Sequence, residues 1–368
     1  MKQNKTVVLA LSGGVDSSVA ALLLKKQGYN VIAAFMKNFS QTKNPITGEC
    51  SYLEEKRMAQ KIASLLKIKF ITLDFEKEYN DFVIKPMFEA YKKGLTPNPD
   101  IVCNQKIKFP LLWKTAREKY NADYIATGHY AGIKKTKSGC NLVMAKDKTK
   151  DQSYFLYSLN QKDLSHTLFP NANLTKKEVR EIAKRNNFPN WNKHGTTGIC
   201  FVGKVNMKSF LERKIKPKEG KIISPEGIII GTHPGIAYFT IGQRIGPHLG
   251  MKINKPYEFA QKRYYIADKI RSTNTIIAAP EGHPSLKKKV VIIKKFHLIN
   301  PKEKIKGNLK ARIRHLGKLI PGKLIKQKGK YMFIFNKPIE AIAEGQSIVL
   351  YHNEIVVGGG EIRLNPKP

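Results

Sequence analysis

The amino-acid sequence predicts an α/β N-terminal part with a parallel sheet, then a small, mostly β central part, and finally a C-terminal β-barrel. In the first part, short continuous apolar runs alternate with helical stretches, which is typical of a parallel sheet covered on both faces. After Val205 short strands punctuated by glycine follow one another, which favours small β domains. A chain of 368 residues is long enough for two or three domains. We expect them at 1–204, 205–282 and 283–368.

The predicted elements follow these patterns in chain order. The buried strands of the N-terminal part are predicted at 6–11, 31–36, 69–74 and 123–127. Its helices are predicted at 17–27, 54–66 and 104–119, and a capping box formed by Thr175 and Glu178 opens another that runs to about Asn186. A short helix at 206–214 precedes the central strands, predicted at 222–230, 237–241, 264–268 and 275–278. A basic linker at 286–289 leads to the barrel strands, predicted at 290–296, 309–313, 331–335, 347–351 and 354–358.

The charge of the chain is strongly positive. Lysine and arginine together number 66 against 28 aspartate and glutamate residues, a formal net charge of +38. This excess indicates a polyanionic partner such as nucleic acid. Codon drift in an A/T-rich genome is the alternative explanation, because lysine, asparagine and isoleucine are abundant. The basic excess per residue is greater from His283 onward than before it, which uniform drift explains poorly.

Hydropathy and cysteine content exclude several classes of protein. No apolar run approaches the ~20 residues of a membrane span, and the run at 6–11 is too short for the core of a signal peptide. We therefore expect a cytoplasmic protein with no membrane partner. The four cysteines, Cys50, Cys103, Cys140 and Cys200, form no CxxC pair and have no histidine spacing suited to zinc. A disulfide scaffold or a zinc finger is not expected.

A glycine turn, Leu-Ser-Gly-Gly-Val-Asp-Ser-Ser at 11–18, joins the first predicted strand to the first helix. Gly13 and Gly14 permit backbone angles and a close approach that a Cβ atom would block, while Asp16 and Ser17 are typical of a helix start. A helix N-terminus presents N–H groups and a positive dipole end, so the turn predicts a phosphate site. It is not a Walker A loop, because no Lys-Ser/Thr pair follows the glycines at the required spacing.

Two cysteines and one polar segment are further candidates for chemistry. Cys103 falls near the predicted start of a helix, where a thiol has a lowered pKa, although most cysteines are simply buried. Cys200 lies between glycines that would let another molecule approach its sulfur, or that form only a structural turn. Lys-Asp-Gln-Ser-Tyr-Phe-Leu at 150–156 suits contacts with RNA phosphates and bases, or a core beneath a solvated lysine.

Together these motifs resemble the bacterial tRNA-specific 2-thiouridylases, a family of the ATP pyrophosphatase superfamily with an adenine nucleotide alpha hydrolase-like fold. The family thiolates the wobble uridine of certain tRNAs. The motifs occur in the family's order and spacing over nearly the whole chain. They are SGGVDSS at 12–18, TPNPD and CN within 96–104, GHYA at 128–131, KDQSYFL at 150–156, GICF at 198–201, TIGQR at 240–244 and GGG at 358–360.

The resemblance implies ATP and Mg²⁺ as cofactors. Adenylation would convert a uracil oxygen, a poor leaving group, into AMP, a good one. Mg²⁺, near Asp16, would neutralise the phosphates. The residues that would hold the nucleotide are Ala10, Leu11, Ser12, Gly13, Gly14, Val15, Asp16, Ser17, Met36 and Gly128.

The resemblance also implies roles for both motif cysteines. Cys200 would accept sulfur as a persulfide from a cysteine desulfurase or a persulfide sulfur-carrier protein, and would present it to the activated C2 atom. Cys103 would be the nucleophile that releases the sulfur, leaving a transient Cys103–Cys200 disulfide for a donor thiol to reduce. Asp100 would lie beside the target base, where it can assist proton transfer.

The implied partner is tRNA, of the glutamate, lysine and glutamine types. Asn98, Pro99 and Asp100 would contact the target base. Phosphate contacts would hold the anticodon arm while the wobble base is extruded towards the thiols. The other residues implied to contact tRNA are His129, Lys150, Asp151, Gln152, Arg314, His315 and Gln346.

The chain departs from the family's usual pattern at several positions. Gly195 and Thr196 stand where an acidic residue and a serine are usual, Lys204 replaces a usual glutamate, and His315 replaces a usual tyrosine. Ser-Gln-Thr-Lys at 40–43 replaces an acidic cluster after the second strand. These changes bear on the rate and on contacts with tRNA and the sulfur carrier. The nucleotide loop and both thiols are intact.

Three alternatives use the same residues differently. An adenylating pyrophosphatase with a nitrogen nucleophile needs no paired thiols. A non-catalytic RNA-binding protein would bind tRNA without releasing pyrophosphate. An iron–sulfur cluster held by Asp100, Cys103 and Cys200 is the third, and the lack of a CxxC spacing disfavours it.

Overall fold

A computed structural model describes residues 5–41, 50–193, 206–254, 262–303 and 308–364. Single π-helical turns lie at Asn80–Ile84 and Asn104–Lys108, each between two α-helices. None of the helices in these ranges is long and apolar enough to cross a membrane. The α-helices are α1 (Val15–Lys26), α2 (Ser51–Leu65), α3 (Glu76–Tyr79), α4 (Lys85–Lys92), α5 (Pro99–Cys103), α6 (Phe109–Tyr120), α7 (Gln161–Ser165), α8 (Lys176–Arg185) and α9 (Met207–Glu212).

The strands form three sheets. The first contains β1 (Thr6–Ala10), β2 (Asn30–Lys37), β3 (Lys69–Asp74), β4 (Tyr124–Ala126) and β7 (Thr167–Leu168). The second contains β8 (Gly220–Ile223), β9 (Ile229–His233), β10 (Lys252–Ile253), β11 (Tyr264–Ile270) and β12 (Thr275–Pro280). The third contains β5 (Ala131–Thr136), β6 (Gly139–Met144), β13 (Lys287–Leu298), β14 (Leu309–Arg312), β15 (Ile320–Gln327), β16 (Lys330–Glu340), β17 (Ser347–His352) and β18 (Ile355–Arg363).

The first sheet is parallel throughout and has the strand order β3-β2-β1-β4-β7. Its central strand β1 is buried on both faces: Val7 and Leu9 pack into one apolar cluster and Val8 into another. The α/β prediction for this part is therefore confirmed, together with all four predicted strands. The carboxyl ends of β1, β2 and β4 meet at one edge, where ligands bind in sheets of this kind.

The helix predicted at 104–119 begins earlier and is divided. Asn98 caps α5, because its Oδ1 atom accepts a hydrogen bond from the backbone N–H of Ile101 at 3.4 Å, and Pro99 occupies the first helical position. A π-helical turn then leads into α6. Cys103 is the last residue of α5, not a residue of a first helical turn. The expectation of a thiol at a helix N-terminus was wrong, because the helix begins at Pro99, directly after the Asn98 cap.

The capping box that opens α8 is confirmed. The Thr175 hydroxyl accepts a hydrogen bond from the Glu178 N–H at 3.2 Å, and a Glu178 carboxylate oxygen accepts one from the Thr175 N–H at 2.6 Å. These reciprocal bonds satisfy two N–H groups at the helix start. The sequence signal was sufficient here because both partners lie within one turn.

The second sheet differs from its prediction in two places. The strand predicted at 222–230 is the hairpin β8–β9, whose turn contains Gly227 with φ +91°. The strand predicted at 237–241 is not a strand. A short 3₁₀ turn at Ile236–Tyr238 follows Gly235, and the Lys269 ammonium group donates to the carbonyl oxygen of Phe239 at 2.7 Å. The segment is apolar because it is buried, and not because it pairs with a neighbouring strand.

The third sheet closes into the predicted β-barrel. Strands β13, β16, β15, β14, β17 and β18 follow one another, and β18 pairs back to β13. The linker predicted at 286–289 lies mostly in β13, which begins at Lys287. Strand β15 was not predicted, because Pro321, Gly322 and its lysines interrupt the apolar alternation. The hairpin β5–β6 was also missed, and it extends the barrel sheet beyond β18 through the pair Ile355 and Val143.

The N-terminal part and the barrel share one core. Val349, Tyr351 and Val356 of the barrel belong to the same buried cluster as Val8 and Phe109 of the first part. The barrel is therefore packed against the parallel sheet and the helices that follow it, and its loops lie near the edge where candidate site residues gather.

Candidate functional site

The nucleotide loop, defined here as residues 10–17, turns sharply between β1 and α1. The Leu11 N–H donates to the carbonyl oxygen of Ala34 at 2.9 Å, which extends the pairing with β2 by one residue. Gly13 has φ +76°, and a Cβ atom there would lie 2.4 Å from the carbonyl oxygen of Glu55. Glycine is required at this position for both reasons.

The hydroxyl groups of Ser17 and the adjacent Ser18 donate hydrogen bonds to the backbone of the nucleotide loop. Ser17 donates to the carbonyl oxygen of Gly14 at 2.9 Å, and Ser18 donates to the same oxygen at 3.0 Å. The residue preceding α1 is Gly14, whose lack of a side chain leaves the first turn without a side-chain cap. Asp16 and Ser17 lie in the first turn of α1, at a helix start as predicted, although neither side chain caps it. The N–H groups at this helix start remain available to an anion.

The carboxylate of Asp16 is held by two side chains. Lys176, the first residue of α8, pairs with it at 2.5 Å, and the Tyr130 hydroxyl donates to it at 2.7 Å. Burial raises the pKa of Tyr130, and the negative charge of Asp16 raises it further, so the phenol stays protonated and donates. No local sequence pattern pairs Asp16 with Tyr130 or Lys176, because both residues lie far from Asp16 along the chain.

The described side chains do not by themselves form a magnesium site, so the phosphates of ATP and water would supply most ligands of a bound Mg²⁺. Mg²⁺ prefers several oxygen ligands in octahedral geometry. No group of three or more His, Cys, Asp or Glu side chains in the described ranges could hold a metal, and the Asp16 carboxylate is already paired with Lys176.

Two buried asparagines clamp the nucleotide loop. The Asn171 amide donates to the carbonyl oxygens of Asp16 at 2.9 Å and Gly128 at 3.1 Å. The Asn190 amide donates to the carbonyl oxygen of Gly13 at 2.9 Å and to the Ser18 hydroxyl at 3.0 Å. No local pattern marks these asparagines in the sequence. They fix the loop backbone in one position before any ligand arrives.

The other two nucleotide candidates lie beside the nucleotide loop. Gly128 follows β4 and packs against the first turn of α1, where a Cβ atom would lie 2.7 Å from the backbone nitrogen of Ser17. Met36 lies near the carboxyl end of β2 and is buried. The structure thus brings all the candidate nucleotide residues to one edge of the parallel sheet.

Cys103 is fully buried next to this edge. Its side chain belongs to the same buried cluster as Met36, Phe39, Tyr79 and Phe210. The cluster joins the end of β2 to α5 and α9. Cys103 therefore shares an apolar cluster with Met36, one of the candidate nucleotide residues.

The segment 96–104 contacts the barrel on one side and the polar segment 150–156 on the other. The Gln346 amide donates to the carbonyl oxygens of Thr96 at 3.0 Å and Pro97 at 3.4 Å. The Asn104 amide donates to the carbonyl oxygen of Phe155 at 3.1 Å. Asn98, Pro99 and Asp100, the candidates for base contact, are partly exposed between these two anchors.

Cys200 lies outside the described residues, as do Gly195, Thr196 and Lys204. Its pairing with Cys103 therefore stays a prediction.

His129 and Gln152 flank Tyr130. The Gln152 N–H donates to the Tyr130 carbonyl oxygen at 2.8 Å, and its side-chain oxygen accepts from the Tyr130 N–H at 2.9 Å. The His129 ring stacks on Phe109 with ring centroids 6.0 Å apart. Burial and the nearby Lys108 hold the pKa of His129 well below its usual value, so the imidazole is neutral at pH 7.

Asp151 does not lie on the surface, and the predicted contact between its side chain and tRNA needs correction. The carboxylate is fully buried and pairs with the Arg312 guanidinium at 2.5 Å. It also accepts hydrogen bonds from the Ser153 hydroxyl at 2.9 Å and the Ala145 N–H at 3.1 Å. In this conformation the side chain joins the N-terminal part to the barrel, while its neighbour Lys150 is exposed.

The remaining candidates for tRNA contact lie at the end of β14. Arg314 is exposed, and the His315 ring packs against Phe155 with ring centroids 4.3 Å apart. Burial lowers the pKa of His315 to about 4. Lys150, Arg314 and His315 therefore lie around the contact between the barrel and the segment 150–156.

Three family descriptions match successive parts of the chain. The tRNA methyl transferase HUP domain matches residues 5–204, the tRNA methyl transferase PRC-barrel domain matches residues 208–280, and the aminomethyltransferase beta-barrel domain matches residues 288–362. They follow one another in the order of the three sheets, apart from the hairpin β5–β6.

Named relatives match along almost the whole chain. The tRNA-specific 2-thiouridylase MnmA 2 of Aliarcobacter butzleri is 41% identical over 367 residues, which cover 98% of this chain and 99% of the relative. The tRNA-specific 2-thiouridylase MnmA of Malacoplasma penetrans is 41% identical over 377 residues, with the same two shares covered. MnmA 1 of Geobacillus kaustophilus is 40% identical and covers 98% of this chain and 96% of the relative. The chain belongs to the MnmA family of tRNA-specific 2-thiouridylases.

Proposed function

We propose that the protein catalyses the ATP-dependent 2-thiolation of the wobble uridine, position 34, of tRNA. It would adenylate the C2 oxygen and transfer sulfur from a cysteine persulfide, giving 2-thiouridine, AMP and pyrophosphate. The observation that carries the proposal is the position of Cys103. Its thiol shares a buried cluster with Met36 at the edge of the sheet that holds the nucleotide loop.

The nucleotide loop supports the adenylation step. ATP would bind through residues 10–17, Met36 and Gly128, with its phosphates at the N-terminus of α1. Asn171 and Asn190 hold the loop backbone in place, so little ordering is needed when ATP binds. Mg²⁺ would enter as the counterion of the ATP phosphates. The C2 oxygen attacks the α-phosphorus, and pyrophosphate leaves with the electrons of the broken P–O bond.

The sulfur step needs two thiols. The outer sulfur of a Cys200 persulfide attacks C2, and AMP leaves with the electrons of the C–O bond. The Cys103 thiolate then attacks the inner sulfur of Cys200. The S–S bond breaks, its electrons form the C2=S group, and a Cys103–Cys200 disulfide remains. A donor thiol reduces this disulfide and restores both cysteines.

The tRNA would lie across the contact between the barrel and the N-terminal part. Asn98, Pro99 and Asp100 would contact the extruded base, and Gln346 holds the start of that segment through two hydrogen bonds. His129, Lys150, Gln152, Arg314, His315 and Gln346 would contact the surrounding RNA. We propose glutamate-, lysine- and glutamine-type tRNAs as substrates, with a cysteine desulfurase or persulfide carrier protein as the sulfur source.

We further propose domain boundaries at 1–204, 205–282 and 283–368, with the last domain contacting tRNA through its basic surface. A cytoplasmic location forms part of the proposal, because the chemistry requires ATP, tRNA and thiols kept reduced.

The test is nucleoside mass spectrometry of unmodified tRNA after incubation with the protein, Mg-ATP and a persulfide source. We expect one sulfur in place of one oxygen at the wobble uridine, dependent on ATP. Cys103→Ser and Cys200→Ser should each remove the product. Cys140→Ser is the matched control, because Cys140 is also buried but belongs to a different cluster, and it should retain the product.

Other outcomes point to the alternatives. Activity that survives alkylation of both cysteines would indicate a nitrogen nucleophile. Binding of tRNA without AMP formation would indicate a non-catalytic RNA-binding protein. A visible absorption band in anaerobically purified protein that is lost with Cys103→Ser would indicate an iron–sulfur cluster.

A further inference from the structure

Arg312 and Asp151 form a buried ion pair between the barrel and the loop at 145–152. Their side chains are 6% and 0% exposed, and the guanidinium also lies over the Tyr351 ring, 5.1 Å from its centroid. A buried ion pair is weak evidence for stability, because desolvation offsets much of the attraction. Fold stability alone therefore does not explain why this ion pair is buried.

The pair is the first link of a continuous chain of contacts that ends in the nucleotide loop. Asp151 is followed directly by Gln152, which exchanges two hydrogen bonds with the backbone of Tyr130, at 2.8 and 2.9 Å. The Tyr130 hydroxyl donates to the Asp16 carboxylate at 2.7 Å. A residue of the barrel is thus connected to the first turn of α1 by three non-covalent contacts and the peptide bond between Asp151 and Gln152.

The other end of this chain lies under the surface proposed for RNA. Lys150 precedes Asp151 and is exposed, and Arg314 follows Arg312 by two residues and is exposed as well. An RNA phosphate held by these two cations would be repelled by an unpaired carboxylate at position 151. Arg312 neutralises that carboxylate and fixes its position, so phosphate binding and the placement of the loop at 145–152 depend on one another.

We propose that Arg312 is a positioning residue that couples tRNA binding to ATP binding through Asp151, Gln152 and Tyr130. The inference rests on the proposed function. Binding of tRNA holds Lys150 and Arg314 in place, which fixes the loop at 145–152 and, through Tyr130, the carboxylate of Asp16. The coupling is reciprocal, so ATP strengthens tRNA binding by the same factor.

The experiment measures a coupling factor, the ratio of the dissociation constants of an ATP analogue without and with unmodified tRNA. The analogue is one that cannot be cleaved between the α- and β-phosphates. We expect the wild-type factor to be about 5 or more. In the double variant Asp151→Leu/Arg312→Met both charges are replaced by apolar groups of similar size, which a fold commonly tolerates. Its factor should fall to about 1.

The exposed pair Lys148 and Glu354 provides a matched control. It joins the same loop to the barrel at 2.6 Å, but it is solvent-exposed and is not one of the links between Arg312 and Tyr130. The double variant Lys148→Met/Glu354→Leu should keep the wild-type coupling factor.

Two further variants keep the proposal testable if the double variant unfolds. Tyr130→Phe removes only the hydroxyl contact with Asp16, and Arg312→Lys keeps the charge but loses the planar guanidinium. Both should lower the coupling factor, and their effects should be non-additive in a double-mutant cycle. In steady-state assays with tRNA present, KM for ATP should rise while kcat changes little. A purely structural role would lower the thermal unfolding temperature without this split.

The results separate the two proposals. A wild-type coupling factor of about 1, or an unchanged factor in folded Asp151→Leu/Arg312→Met, overturns the coupling while leaving thiolation intact. A wild-type protein that forms no AMP with tRNA overturns the proposed function itself.

Discussion

Gly128 packs so closely against Ser17 that a Cβ atom at position 128 would lie 2.7 Å from the Ser17 backbone nitrogen. The chain leaving β4 therefore touches the helix turn that would bind the phosphates of ATP. We predict that Gly128→Ala displaces the nucleotide loop and weakens ATP binding by about tenfold or more, roughly 1.4 kcal/mol. Equilibrium binding of an ATP analogue measures the effect.

Gly227→Ala is the control for the Gly128 variant. Nothing lies within 4 Å of a Cβ atom at Gly227, although its φ of +91° is unfavourable for alanine. The control should lose a little stability, about 1 kcal/mol, and no ATP affinity. Wild-type affinity in a folded Gly128→Ala protein would contradict the predicted phosphate position.

Replacing one residue of the buried Asp151–Arg312 pair should destabilise the protein more than replacing both. Arg312→Met alone leaves a buried carboxylate without its cation and should lower the free energy of unfolding by about 3–5 kcal/mol. The double variant Asp151→Leu/Arg312→Met should recover most of that loss. Urea unfolding measures both values. If the single variant lost less than about 1 kcal/mol, as exposed ion pairs do, the pair would not be buried in solution.

The cysteines should differ in their reactivity with iodoacetamide at neutral pH. Cys103 is 0% exposed, whereas Cys50 is partly exposed, so alkylation of Cys103 requires a local opening of the structure. We expect Cys103 to react at least about tenfold more slowly than Cys50 in the folded protein. Peptide mass spectrometry over time measures both rates. In concentrated urea the two rates should converge, and equal rates without urea would contradict the burial of Cys103.

Buried histidines predict how stability depends on pH. Burial lowers the pKa of His166 to about 4 and that of His233 to about 4, whereas an unfolded histidine has a pKa of about 6.5. The unfolded chain therefore binds more protons between these values. The free energy of unfolding should stay constant above pH 6.5 and fall as the pH decreases towards 4, by up to about 1.4 kcal/mol per pH unit for each group.

His166→Phe isolates one of these groups. The phenyl ring can keep the stacking on Trp113, whose ring centroid lies 3.7 Å from that of His166. The variant should show a shallower loss of stability between pH 6.5 and 4 in urea unfolding. A slope equal to that of the wild type would mean that His166 titrates normally in the folded state.

Replacing Gln346 should lower the thiolation rate with little change in stability. Its amide donates to the carbonyl oxygens of Thr96 and Pro97, so Gln346→Glu removes the donor while keeping the size. We expect the thiolation rate to fall about tenfold through misplacement of the segment at 98–100. Gln327→Ala, at an exposed position, should leave the rate unchanged. An equal rate for Gln346→Glu would show that the segment needs no anchor from the barrel.

Elements whose interacting residues are neighbours along the chain could be predicted from the sequence. The apolar run before the glycine turn predicted β1, and Thr175 with Glu178 predicted the start of α8. The parallel sheet, the mostly β middle and the C-terminal barrel followed from periodicity and spacing. In each case the physical cause is local, because apolar alternation, glycine turns and caps act within a few residues.

The contacts that hold the candidate site in place depend on the tertiary fold. Asn190 bonds to the Gly13 carbonyl across 177 positions of sequence, and Arg312 pairs with Asp151 across 161. Such partners are brought together by the packing of whole sheets, so no local pattern predicts them. The same packing buries Asp151, which the resemblance had implied to contact tRNA. An aspartate in a polar segment is usually solvated. Here the Arg312 guanidinium of the barrel compensates the charge of Asp151, which allows its burial.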